Sequence, residues 1–116
     1  NLALLISGDF RAGYALKAAP QPDAIAASAR EAAELAVRAT AGVPALMLVF
    51  NCVSRMQSLG LKAPDELAAI RTVSRTAPVF GFYGSGEIGL DRAGSAPRGV
   101  GAHIAIAALS LPSPHG

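Results

Sequence analysis

Apolar residues in this chain gather into short runs separated by turn-forming clusters, and the runs change period along the way. Leu2 to Ile6 (LALLI) has the length of a buried strand and stops at Ser7-Gly8-Asp9, a turn cluster. Gly13 to Ala18 alternates large and small side chains, which predicts a second strand paired with the first as a hairpin. Pro20-Gln21-Pro22 breaks the pattern, and Asp23 is placed to cap a helix over Ala24 to Thr40. Along that helix Ile25, Ala29, Ala32, Ala36 and Ala39 make one face, with Leu35 and Val37 beside it. Glu34 and Arg38 stand at supportive i, i+4 spacing, and Gly42 ends the segment.

Pro44 to Asn51 (PALMLVFN) is almost continuously apolar, as expected of a strand covered on both faces. Cys52 to Gly60 reads as a loop or short turn. Pro64 opens a second helix that runs to Arg75 with Leu67, Ile70 and Val73 as its stripe. Pro78 to Tyr83 is the next strand, Gly84 to Gly99 a long irregular loop, and Val100 to Leu109 the last strand. The order β-β-α-β-α-β-β predicts a single α/β domain over residues 1–110, followed by a Pro-rich tail over 111–116. Its sheet is mixed, and its centre is a right-handed βαβ unit, because a helical crossover makes the two flanking strands parallel.

Composition narrows the function classes. With 52% hydrophobic, 16% charged and 5% aromatic residues, the chain is too apolar for disorder, and its core must be aliphatic. Ten Lys plus Arg against eight Asp plus Glu leave +2, and no basic run or aromatic platform offers a nucleic-acid groove. No run reaches the roughly 18 apolar residues of a membrane helix. The lone Cys52 cannot form an internal disulfide and suits a reducing, cytoplasmic setting. A start at Asn1 suggests a piece of something longer.

Parallel strands bring their carboxyl ends to one edge, where ligands of open α/β sheets bind. Two loops meet there: Cys52-Val53-Ser54-Arg55, and Gly84-Ser85-Gly86-Glu87-Ile88-Gly89. Arg55 offers a planar fork for a carboxylate. Glu87 can accept from an ammonium group, and the glycines let backbone N–H groups come close. A zwitterion such as an amino acid fits that pairing. The plainer alternative is an Arg55–Glu87 pair on a solvated rim, worth under about 1 kcal/mol. Gly84, Gly86 and Gly89 also spell G-x-G-x-x-G, but no helix sequence and no later ribose-binding acid follow, so no dinucleotide is expected. Cys52 and His103 form a candidate nucleophile–base pair oriented by Glu87 or Asp91, against which Cys52 is a small buried hydrophobe and His103 a solvent-facing strand residue. No metal site is expected, since one Cys and one internal His are too few and His115 lies in the tail.

LVFNCVSR (Leu48 to Arg55) and PVFGFYGSGEIG (Pro78 to Gly89), followed by a closing strand that carries His103, resemble the C-terminal half of the FIST sensory domain. The likeness spans about Gly8 to Leu109. It implies a small-ligand sensor, with amino acids the suggested ligands and no cofactor, attached to a signalling output domain or standing alone. Cys52, Arg55, Gly86, Glu87 and Gly89 are the matching positions. It also implies half of a sensor, so that an exposed apolar face awaits the N-terminal half or self-association. A small Cys-dependent enzyme and a structural protein-interaction domain, the latter burying Arg55 and Glu87 in an interface, are the competing readings.

Overall fold

The computed structural model describes residues 5–19 and 21–112. Three helices lie on one side of a four-stranded mixed sheet. In chain order the elements are β1 (Arg11–Ala18), α1 (Ile25–Thr40), β2 (Leu46–Cys52), α2 (Val53–Leu59), α3 (Ala63–Ser74), β3 (Val79–Gly84), β4 (Glu87–Gly89), β5 (Arg98–Val100) and β6 (His103–Ser110). The main sheet runs β1-β6-β2-β3, and β4 and β5 form a separate antiparallel ribbon.

β2 and β3 are parallel neighbours, with Met47 opposite Val79 and Cys52 opposite Gly84, so the expected β-α-β centre is present. β6 lies antiparallel between β1 and β2. Among the described residues, the partner of β1 is therefore β6. Most of the expected strand at Leu2 to Ile6 lies outside the described residues, and Leu5 and Ile6, which are described, are not in a strand; Leu5 is 90% exposed. Pro20, His115 and most of the Pro-rich tail also lie outside the described residues.

Alternation sorts each strand into two faces. Gly13, Ala15, Met47, Val49, Ile104, Ile106 and Ala108 face the helices and meet Ala29, Ala32, Ala33, Ala36 and Ile70 in one core. The alanine stripe brings α1 very close to β1. A Cβ on Gly13 would strike the carbonyl oxygen of Ala36, so only glycine fits there. The other face carries Tyr14, Leu16, Leu48, Phe50, Phe80 and Phe82, and no helix covers it.

Several local expectations need correction. The residues after Cys52 are not a loop: Val53 to Leu59 are helical, and a short 3-10 turn joins them to α3. Asp23 sits inside a 3-10 turn and makes no side-chain cap. Ala41 (φ 53°), not Gly42, takes the left-handed conformation that ends α1. Glu34 pairs with Arg30 at 2.9 Å instead of Arg38. The stripe of α3 buries Glu66, Ile70 and Ser74, while Leu67 stays exposed. The loop Gly84 to Gly99 contains β4 and part of β5, and β6 begins at His103 because Gly101 and Ala102 interrupt the expected run.

Candidate ligand-binding site

β2 runs directly into α2, with Cys52 as both the last strand residue and the residue preceding the helix. Three residues of helix then turn Arg55 back under the sheet, onto the helix side. There its side chain is 2% exposed. Its Nε donates to Glu66 Oε1 at 2.7 Å, and its Nη2 donates to Ser28 Oγ at 2.9 Å and to the Ile25 carbonyl at 3.1 Å. Glu66 has no exposed surface, and its second oxygen accepts from the Tyr83 hydroxyl at 2.9 Å. One guanidinium thus joins α1, α2 and α3, and the network continues through Tyr83 into β3.

Burial, and then the charge of Glu66, push the Tyr83 hydroxyl up to about 12. A buried charge pair of this kind stands only when its remaining donors and acceptors are satisfied. One is not. Arg55 Nη1 has no protein partner, and neither do Asn51 Oδ1 and Glu87 Oε2. Arg55 lines a cleft of about 200 Å³ with Gln21, Pro22, Ser54, Ser58 and Ala102.

Glu87 opens β4 and is also buried. Its Oε1 accepts the backbone N–H of His103 at 2.6 Å, which ties the ribbon to the start of β6. Burial raises its pKa above the ordinary value, opposed by that N–H and by the charges of His103 and Arg55. Cys52 lies beside it. The Cys52 sulfur accepts from Ser54 Oγ at 3.0 Å, and this bond, outweighing burial, lowers the thiol pKa.

The two loops do meet at one edge of the sheet, yet the expected pairing of Arg55 with Glu87 does not form. Each feels the charge of the other without bonding to it. The solvated-rim alternative fails as well, because the domain buries both side chains itself; no partner subunit is needed to do so. Two of the three nitrogens of Arg55 are spent on the fold, so one N–H edge, not an open fork, is left without a partner.

The remaining candidates separate by geometry. His103 Nδ1 lies 2.6 Å from the Gly101 carbonyl, which makes it the protonated nitrogen. Asp91 is held by Arg98 at 2.9 Å within the ribbon and does not orient the imidazole. Gly84 stands opposite Cys52, Ser85 is exposed, and a Cβ on Gly86 would lie 3.2 Å from the Val100 carbonyl. Gly89 is a packing residue: a Cβ there would come within 2.9 Å of Ala105 Cβ. The short strands β4 and β5, not a helix, follow Gly84.

Sequence reasoning missed Glu66 and Tyr83. A signal existed for Glu66, which precedes Ile70 by four residues and so lies on the apolar stripe of α3. An acid at the helix start is otherwise accounted for by the helix dipole. A larger cleft, about 470 Å³, lies elsewhere, between α1 and α3. Its cations Arg38 and Arg75 are exposed at helix C-termini, where they offset carbonyl dipoles. None of its charged side chains is buried, unlike Arg55.

Curated proteins provide no match to the chain. The family model described as the FIST C domain matches residues 1–90, from the N-terminus through the Cys52–Arg55 segment to the end of the Gly84–Gly89 loop. That covers well over half of the sequence, and the chain belongs to the FIST C domain family, a family of sensory and signal-transduction domains.

Proposed function

We propose that this domain binds a small molecule bearing a carboxylate, with amino acids the leading class, and that its task is binding without catalysis. The observation that carries the reading is the unpartnered Nη1 of a buried arginine at the wall of a small cleft. A buried guanidinium N–H without an acceptor is costly, and a ligand carboxylate removes that cost with a charge-assisted hydrogen bond. Ser58 and Gln21 add neutral donors around it, and Ser54, whose hydroxyl proton goes to Cys52, an acceptor. Glu87 does not line this cleft, but it is near enough to feel the charge of Arg55, and we assign its unpartnered Oε2 as the acceptor for an ammonium group. Cys52 serves as a buried thiol in a reducing cytoplasm, and the signal passes to an output domain or to the other half of the sensor.

Thermal unfolding in the presence of each amino acid at millimolar concentration tests this directly. A ligand at a hundred times its Kd stabilises the fold by about 2.7 kcal/mol, which a melting curve resolves. Ser58→Ala, at an exposed edge of the cleft, should weaken the shift while leaving the unliganded melting point unchanged. An absence of shift with every small carboxylate tried, together with turnover that depends on Cys52, would replace the sensor with an enzyme.

A further inference from the structure

The two edges of the main sheet differ in how they are defended. β1 carries Arg11 and Lys17, and Lys17 is bound to Glu31 of α1 at 2.8 Å. β3 (VFGFYG) carries no charge and no proline and pairs only with β2 among the described residues. Uncharged edges of this length are where sheets recruit another strand, and proteins ordinarily block them with Lys, Pro or a bulge.

The free hydrogen-bonding groups of β3 can be identified. Met47 N–H donates to the Pro78 carbonyl at 2.9 Å. With Met47 opposite Val79 in the parallel register, Phe80 and Phe82 direct their N–H and C=O groups toward β2. Val79, Gly81 and Tyr83 therefore direct theirs outward. Phe80 and Phe82 lie on the uncovered face and are 60% and 63% exposed.

We infer that β3 pairs antiparallel with β3 of a second copy of this chain about a two-fold axis at Gly81. In that register Gly81 exchanges both backbone hydrogen bonds with its counterpart, and Val79 does so with Tyr83 of the other copy. Phe80 then faces Phe82 across a non-hydrogen-bonded pair, where side chains come closest. The strand fits itself for two reasons. An isologous contact doubles every charge about its axis, so charges on β3 would gather in like pairs near the centre of the contact, and the strand has none. Gly81 has no side chain at the axis, and a Cβ there would strike the Val49 carbonyl, so the position stays bare. Covering the exposed part of the four rings removes on the order of 100 Å² each. With the backbone edges this remains at the small end of specific interfaces, so the dimer is reversible and depends on concentration.

Sedimentation velocity of the 116-residue chain over a wide concentration range tests the inference. The expected result is a monomer–dimer equilibrium that Phe82→Lys and Phe80→Lys shift to monomer, with circular dichroism unchanged because both side chains are exposed. Ile88→Lys, on the ribbon instead of the edge, should leave the equilibrium as it is. A second reading of register comes from the double variant Phe80→Cys, Phe82→Cys. Its positions lie about 4.5 Å apart between copies in the proposed pair, within disulfide reach, so mild oxidation should give a covalent dimer. A monomer at every concentration, a dimer indifferent to Phe82→Lys, or one that Ile88→Lys dissociates equally overturns the proposal.

Discussion

Arg55 and Glu66 face one another at 2.7 Å with almost no surface of either side chain reaching solvent. Eleven residues separate them, and the pair locks the short helix behind β2 to the start of α3. Because both charges are out of water, what matters energetically is less the attraction than the consequence of removing one member.

Glu66→Gln should therefore destabilise the domain by about 3–5 kcal/mol, since an uncompensated guanidinium is left inside. The double replacement Arg55→Met, Glu66→Leu should recover much of that loss, because apolar groups of similar size need no partners. Urea unfolding of the three proteins measures both, and a single variant as stable as the parent would contradict the buried-pair account.

Tyr83 depends on the same carboxylate. Tyr83→Phe leaves Glu66 Oε2 without its hydroxyl and should cost about 1.5–3 kcal/mol. The parent should also show a pH effect. Its hydroxyl titrates near 12 in the folded state against an ordinary 10, so the associated stability is complete below pH 10 and is lost as the pH rises through 12. Alkaline denaturation followed for both proteins should show a steeper fall for the parent over that window.

Glu87 is expected to act in the mildly acidic range. Its folded pKa is raised above 4.5 by burial. Its contribution is full below pH 4.5 and is lost as the pH climbs through the raised value. Glu87→Gln keeps an acceptor for the His103 N–H but never ionises, so its stability advantage over the parent should grow between acid and neutral pH. Parallel stability curves for the two proteins would refute this.

Gly13→Ala tests the closeness of α1 to the sheet. The added methyl meets the Ala36 carbonyl, and relieving that overlap should cost about 1–3 kcal/mol. Gly94→Ala, at a loop position where nothing lies within 4 Å but φ is +80°, should cost only the smaller backbone strain.

The parts legible in the sequence are those with a long period or a long run. The alanine face of α1, the apolar run of β2 and the parallel relation of β2 to β3 could all be read in advance, because each follows from a repeating local pattern. α2 could not. VSRMQSL has too few turns to display a stripe, and Arg55 holds it through distant partners. β4 and β5 have three residues each and are rich in glycine, so alternation has no room to appear. The position of Arg55 near the edge of the sheet was legible; its burial was not, because that depends on Glu66 and Ser28, which only the tertiary fold brings together. Local sequence also cannot state which strand a given strand will choose. The pairing of β1 with β6, some ninety residues away, carries no local signal.

That choice has a consequence for how the molecule is made. β6 comes after the other strands of its sheet in the chain, and it is the one that separates β1 from β2. Until Ser110 has emerged, the edges of β1 and β2 that it will occupy stay open, and the alanine helix has no complete floor to rest on. Pairing across so many residues raises the contact order and slows folding, so the nascent chain should lean on chaperones longer than its size suggests. The segment matched by the family, residues 1–90, lacks this keystone and should not fold when expressed alone.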